Sequence, residues 1–448
     1  MKTTVLKNLR RSSLALLIMS PALVNAQQTK IDNLRAYDQS GINVFETPKD
    51  TAATFDGLKV RFGAGFTQSF QDLNHQNKAT GTYDGLYKIT SGFNTASANL
   101  YTDVQLADGI RLNLTSYLSA RHHNETWVKG GYIQFDKLPF KGKIWDDIMS
   151  VTTIKVGHME INYGDAHFRR TDGGHALYNP FVENYILDAF TTEIGGEIYV
   201  QKNGLFGMVA ASNGMIKGNI DEMAPTAADS NIHKSPAIYL KAGVDKQLNE
   251  KIRARLSASF YTNKSSGGQT LYAGDRTGSN YYLVMERAMQ PPVGAAAPVK
   301  TSATAQFSSG RFNPAFSKQV DALMLNAFVK AHGLEVFGTF EKAKGRTKTE
   351  TAGRDVTQYA IDGVYRFGKD ENLFVGARYN TVKGEIQVGT SAQDITINRT
   401  ALAAGWFVTK NVLLKGEYVT QEYKDFAQTD YRYGGKFDGY VIQAIVGF

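Results

Sequence analysis

Beyond residue 57 the chain is written in short alternating stretches, and that rhythm restricts it to strands. Between 252 and 261, Ile252, Ala254, Leu256, Ala258 and Phe260 alternate with Arg253, Arg255, Ser257, Ser259 and Tyr261. Ile110, Leu112 and Leu114 alternate in the same way with Arg111, Asn113 and Thr115. Successive side chains of a strand point to opposite faces, so each stretch has one apolar and one polar face. Such stretches recur along the chain at roughly ten residues each, the length that crosses a bilayer as a tilted strand. After the amino-terminal stretch there are no heptads, no long helical periodicity and no run of about eighteen apolar residues, so no transmembrane helix is expected. Two architectures use this pattern: a membrane barrel with lipid outside and a polar lumen, and a soluble sandwich or pair of small barrels.

Residues 1–26 predict an export signal. Lys2, Lys7, Arg10 and Arg11 precede a short apolar core from Leu14 to Met19, and Val24-Asn25-Ala26 offers a small-residue cleavage site before Gln27. Cysteine is absent, which excludes disulfides, thiolate metal sites and a lipid anchor at the cleavage point. Removing those four charges lowers the formal net charge from +8 to +4. That balance does not require nucleic acid as a partner, and export argues against it. A soluble chain of this length divides into two or more domains, yet no linker or shift of composition marks a boundary here. Residues 27–55 read as a periplasmic amino-terminal segment, and 56–448 as one transmembrane antiparallel β-barrel.

Strands are expected at 57–68, 97–106, 110–121, 127–137, 151–162, 190–201, 204–212, 237–248, 251–261, 321–331, 334–342, 355–367, 371–382, 396–408, 411–422 and 437–448. That is an all-β chain of sixteen strands, and an even number is the rule for such barrels. Tight turns include Ala107-Asp108-Gly109, Lys202-Asn203-Gly204 and Ala331-His332-Gly333. Long loops are expected at 71–95, 164–188, 213–235 and 263–319, external or folded inward. The last of them leaves an alternative of eighteen strands, from a further hairpin using Tyr281 to Arg287 and Thr301 to Ser308. Tyr132, Phe135, Tyr261, Tyr365, Phe367, Tyr379 and Tyr418 suit aromatic girdles at the two membrane interfaces.

The final stretch places Tyr440, Ile442, Ala444, Val446 and Phe448 on one face. An alternating strand ending on an aromatic residue resembles the closing strand of bacterial outer-membrane β-barrels. The resemblance implies a signal read by the barrel-assembly machinery, with outer-membrane lipid around the wall. Lys155-Val156-Gly157-His158-Met159, running on to Tyr163-Gly164, resembles a strand-end signature of the phosphate-selective porin-like family. Membership would imply a sixteen-stranded outer-membrane channel, commonly a homotrimer, that binds anions through Lys and Arg along a constriction formed by inward-folded loops.

The alternation assigns Arg111, Arg253, Arg255, Arg378 and Lys415 to the polar, lumen-facing side. A water-filled pore lined in this way attracts anions, and the competing arrangement has these cations paired with lumen carboxylates such as Glu417. Arg169 and Arg170, beside Gly173-Gly174 in the 164–188 segment, are the candidates for a constriction, since the guanidinium fork suits carboxylate or phosphate. Asp165, His167 and His175 lie close in sequence, but their spacing matches no metal motif, and no metal or other cofactor is expected. No Gly-x-Ser-x-Gly elbow occurs, and catalysis is not expected. Two functions remain. One is a passive outer-membrane channel for small hydrophilic solutes, general or anion-preferring. The other is a non-conducting barrel that acts as an adhesin or as a subunit of a larger surface complex.

Overall fold

The computed structural model describes residues 31–448 apart from 32, 48, 50–54, 119–125, 173–175, 231, 275–281, 293, 295, 303–309 and 390. The export signal therefore lies outside the described residues, as do Gly173, Gly174 and His175. Sixteen strands form one closed antiparallel wall: β1 Lys59–Gln76, β2 Ser97–Ala107, β3 Ile110–Leu118, β4 Thr126–Phe135, β5 Thr152–Glu160, β6 Thr192–Lys202, β7 Leu205–Ser212, β8 Ala237–Asn249, β9 Ile252–Asn263, β10 Gln319–Ala331, β11 Leu334–Arg346, β12 Arg354–Phe367, β13 Leu373–Val388, β14 Ser391–Thr409, β15 Val412–Lys424 and β16 Lys436–Gly447. Each strand pairs with its neighbours in the chain. The wall closes where β1 meets β16, from Gly65 opposite Gly447 to Gln76 opposite Lys436. Because β9 pairs directly with β10, from Ile252 opposite Ala331 to Asn263 opposite Val320, the segment between them adds nothing to the wall. This excludes the eighteen-strand alternative. The described part of that segment holds only a small ribbon, Met289–Gln290 against Val299–Lys300.

The outer face is apolar on all sides. Leu100, Leu114, Ile133, Val156, Ile198, Leu240, Leu256, Leu325, Ile361, Leu402, Leu414 and Ile442 are exposed. A continuous belt of this extent has no place in water and suits a bilayer. In β15, Leu414 and Tyr418 face outward while Lys415, Glu417, Val419 and Gln421 are buried, as the alternation predicts. Tyr365, Phe367, Tyr379 and Tyr418 stand on the outside as expected of girdle residues. Tyr132 and Tyr261 do not: Tyr261 is fully buried in the lumen and Tyr132 lines an internal cavity. Each shares its inward parity with a polar neighbour, Gln134 and Ser259, and parity outranks composition in setting the face.

One end of the barrel carries the tight turns. At Asn203 and Gly204 φ is 53° and 77°, the pair of positive values that matches a two-residue hairpin to strand twist. A short helix, Lys143–Met149, sits at the same end. The long connections gather at the other end. Several strand boundaries differ from expectation there. β1 runs on to Gln76, so the first long loop starts later than residue 71. β13 and β14 continue to Val388 and from Ser391. In that extension Val382, Ile386, Ile395 and Ile397 are buried inward, while Lys383 and Gln387 are exposed outward. Here the apolar side chains take the inward parity and polar ones the outward, the reverse of the lower wall, which is why the sequence alone marks the strand as ending at 382.

The lumen is occupied. Three segments enter it: the amino-terminal segment from Ile31 to Lys49, the 161–191 connection, and parts of the 264–318 connection. Leu177, Phe181, Val182, Ile186 and Leu187 of the second and Leu271, Tyr272, Tyr282, Val284 and Phe312 of the third pack against inward Val320, Val356, Val382, Ile397, Val419 and Phe437. Along the β10–β16 side the interior is therefore a packed core, in which these apolar side chains sit among buried, partnered polar ones such as Arg378 with Asp362 and Arg399 with Glu183. Residues 27–55 were expected as a periplasmic lead-in, yet Ile31, Gly41, Asn43 and Phe45 are buried inside the barrel mouth.

Candidate functional site

The inward segments are held by ion pairs and hydrogen bonds to the wall. The chain leaves β5 through Gly164, whose φ of 70° turns it into the lumen. Asp165 then accepts from Arg255 Nε and Nη2 at 2.7 Å each and from Ser257 Oγ at 2.7 Å. Lys241 lies 2.7 Å from the same carboxylate and 2.9 Å from Glu46 of the amino-terminal segment, which also meets Arg255 at 2.6 Å. One cluster thus ties both inward segments to β8 and β9. Buried charges persist only where they are paired and hydrogen-bonded, and here each has several partners.

The seven cations expected to line the pore are all found inside, each in a defined contact. Arg111 pairs with Asp136, and Arg253 with Asp245 at 2.6 Å. Arg255 belongs to the Asp165 cluster. Arg378 grips Asp362 with Nε and Nη2 at 2.7 and 2.8 Å and donates to the Glu183 carbonyl at 2.8 Å. Lys415 donates to the carbonyls of Ala176, Asn179 and Phe181 at 2.8, 2.7 and 2.6 Å, which caps the tip of the 161–191 connection. Arg169 donates to Asn43 and lies 3.7 Å from Glu335. Arg170 meets Asp188 at 2.7 Å, with its guanidinium 3.6 Å from the Phe190 ring centroid. These geometries brace the wall and the plug. Asp165 and His167 are likewise engaged, His167 with Glu160 at 2.7 Å and Asn162 at 2.9 Å. Among the described residues no group of three His, Cys, Asp or Glu is arranged to hold a metal.

The residues of the closing strand point to lipid. Tyr440, Ile442, Ala444 and Phe448 are exposed and Val446 is partly so, while Val441, Gln443 and Ile445 face inward. Phe448 also completes the seam: its N–H donates to the Ala64 carbonyl at 3.0 Å, and Ala64 returns the bond at 2.9 Å.

Against the opposite wall, β2 to β6, the filling is incomplete. A cavity of about 250 Å³ lies between these strands and the two inward segments. It runs from Asp136 and Gln201, at the tight-turn end, to Lys129 and Thr192 near the far ends of β4 and β6. Asn113, Thr115, Gln134 and Thr153 give it a neutral polar wall. Its carboxylates are engaged: Asp136 with Lys49 at 3.0 Å, Asp172 with Lys129, and Glu160 with His167. At the mouth, burial alone raises the Asp38 carboxyl, but hydrogen bonds from Ser40 and the nearby Lys410 outweigh this and hold it below the usual range.

Four cations on this cavity stand outside the expected set: Lys49 and Lys129, which pair with Asp136 and Asp172, and Lys155 and Arg35. Lys155 carries the inward parity of β5 and lies 5.3 and 4.9 Å from the ring centroids of Tyr132 and Tyr199. Its cross-strand neighbour Glu197 is already taken, accepting from Asn162 N at 3.0 Å and from the hydroxyls of Tyr239 at 3.1 Å and Tyr199. Arg35 stacks 3.7 Å above the Tyr178 ring centroid and donates to the carbonyls of Gly41 and Phe168. Strand parity alone was enough to place Lys155 inside. Arg35 carried no periodic signal, because it lies in the irregular segment before the first strand.

Solved porin structures share this architecture. The anion-selective porin from Comamonas acidovorans superposes with a TM-score of 0.51 at 11% identity, over 88% of this chain and 100% of its own. The loop L8 deletion mutant of OmpT, an outer membrane protein of Vibrio cholerae, gives 0.50 at 9% identity, over 88% and 100%. The in-vitro folded trimer form of OmpT gives 0.50 at 10% identity with the same coverage. No family model and no curated protein matches the sequence, so the resemblance of 155–164 to the phosphate-selective porin-like family has no counterpart at family level. The chain has the closed sixteen-stranded fold of bacterial outer-membrane porins.

Proposed function

We propose that this chain is an outer-membrane channel through which small hydrophilic solutes diffuse passively. The observation that carries the reading is the cavity of about 250 Å³ along β2–β6, the space left beside an otherwise packed lumen. Its length along the strands and its lining, in which Asn113, Thr115, Gln134 and Thr153 stand among charged side chains of both signs, suit small polar solutes that bind weakly and leave again. Its volume favours small ones. A filter specific for phosphate is not part of the reading. The seven expected cations are committed to carboxylates, carbonyls and rings, so any anion preference rests on Lys155 and Arg35. Catalysis and cofactors are likewise not proposed. The trimer form of OmpT makes a homotrimer the assembly to look for, by cross-linking in the membrane.

A second reading is supported by the packed core and the ion-paired plug: a closed barrel serving as an adhesin or as part of a larger surface complex. Liposome swelling separates the two. Proteoliposomes holding the folded chain should swell in small sugars and amino acids and slow sharply as the solute grows. Folded protein that admits none of them supports the closed barrel.

A further inference from the structure

We propose that the cavity holds a binding station for small organic monocarboxylates, with Lys155 as the carboxylate-binding residue and tyrosine rings receiving the apolar body. The proposal deepens the channel reading and rests on it only for how the ligand arrives.

The Lys155 ammonium carries three N–H donors, and none of them bonds to a described residue. No carboxylate lies within ion-pair distance of it among the described residues. The side chain is held in place by ring faces at 5.3 and 4.9 Å, which stabilise the cation but accept no hydrogen bonds in its plane of donors. The one acid across the strand, Glu197, is drawn away by two tyrosine hydroxyls and a backbone N–H. A fixed, ring-flanked ammonium with unused donors is thus presented to a cavity of about 250 Å³. Arg35 adds a second cation on the same cavity, with Nε and Nη2 committed to carbonyls.

The surroundings set the ligand class. Glu160, Asp136 and Asp172 line the same cavity. Asp136 and Asp172 are paired with lysines and Glu160 is hydrogen-bonded to His167, yet three carboxylates make a poor setting for a multiply charged anion. A single carboxylate is matched by one ammonium, and a flat or branched apolar body is matched by the rings of Tyr132 and Tyr199, which line the cavity. Phosphate, with no apolar body and up to two charges, satisfies neither condition.

The test is equilibrium binding to the folded, full-length chain in detergent, so its outcome does not depend on conduction. Radiolabelled benzoate is the probe, with benzyl alcohol and inorganic phosphate as competitors. Benzoate should bind saturably, benzyl alcohol should fail to displace it, and phosphate should displace it only weakly. Lys155→Met should weaken benzoate by at least about tenfold, the loss of one charge-assisted contact, and Lys155→Arg should retain most of it. Heat-modifiable migration shows whether each variant has folded, and the wild-type competition decides the case even if Lys155→Met does not fold. Equal displacement by benzyl alcohol, stronger displacement by phosphate, unchanged binding in folded Lys155→Met, or no saturable binding would each overturn the proposal. Binding by a chain that does not conduct would leave the station standing and remove the channel.

Discussion

Asp165 and Arg255 meet in a two-pronged ion pair, with Nε and Nη2 each 2.7 Å from a carboxylate oxygen, at the point where the 161–191 connection enters the barrel. Both residues are buried, Asp165 completely. The pair joins a wall strand to the segment that fills the lumen, so the plug is part of the fold and not a loose loop.

Asp165→Ala should therefore damage the fold more than any surface change. It leaves buried Arg255 and Lys241 sharing Glu46, with Asp245 at 3.2 Å as the other carboxylate on Arg255, and removing one partner of a buried pair costs about 3–5 kcal/mol. Guanidinium unfolding in detergent measures this, and a shift below about 1 kcal/mol, the range of an exposed pair, would show that the cluster does not anchor the segment.

Arg378→Ala is expected to change stability and leave selectivity alone. Its guanidinium is bound to Asp362 and to the Glu183 carbonyl and does not border the cavity. Removing it strands Asp362, with a cost of the same order, about 3–5 kcal/mol. The reversal potential in a salt gradient should stay at the wild-type value. A clear shift would place Arg378 on the ion path.

Phe448 offers a way to separate assembly from packing. The ring is half exposed on the lipid face, while the backbone closes the seam with Ala64. Phe448→Ala keeps both backbone bonds and removes only the ring. Insertion into the outer membrane of cells should fall several-fold while refolding into detergent proceeds as before. Equal insertion would show that the ring carries no assembly signal.

Acid should loosen the outer connection between β15 and β16. Burial alone raises the Asp430 carboxyl, but Arg432 donates to it at 2.9 and 2.7 Å and holds it below its ordinary value. A carboxyl lowered by folding contributes stability above its unfolded pKa of about 3.9 and loses that contribution as pH falls through the lower folded value. Hydrogen exchange in 425–435, taken relative to the intrinsic rate at each pH, should be unchanged from pH 7 to about 5 and rise below about 4. Asp430→Asn should abolish that rise, and an identical profile would remove the pair from the cause.

Much of the fold was legible because a lipid-facing wall imposes period two. Leu256 and Phe260 outside, Arg255, Ser257 and Ser259 inside follow from spacing alone. The signal weakened where the lipid ends: Val382 and Ile386 turn inward above the bilayer and the alternation changes sense. The site was less legible. Arg111, Arg253, Arg255, Arg378 and Lys415 carry the inward parity of their strands, but spacing cannot say which cation meets a carboxylate. That depends on contacts across more than a hundred positions, as between Lys415 and the carbonyl of Ala176. The amino-terminal segment has no period at all, and its entry into the barrel is set by Glu46 and Lys49 finding buried partners on the wall.

The central claim is that a passage remains beside the plug, and single-channel recording in planar bilayers tests it most directly. Full-length chain, shown to be folded by its heat-modifiable migration, should give small, uniform, long-lived steps. Block by benzoate should be relieved in Lys155→Met. Persistent silence from folded protein across both voltage polarities would contradict the account and leave a sealed barrel.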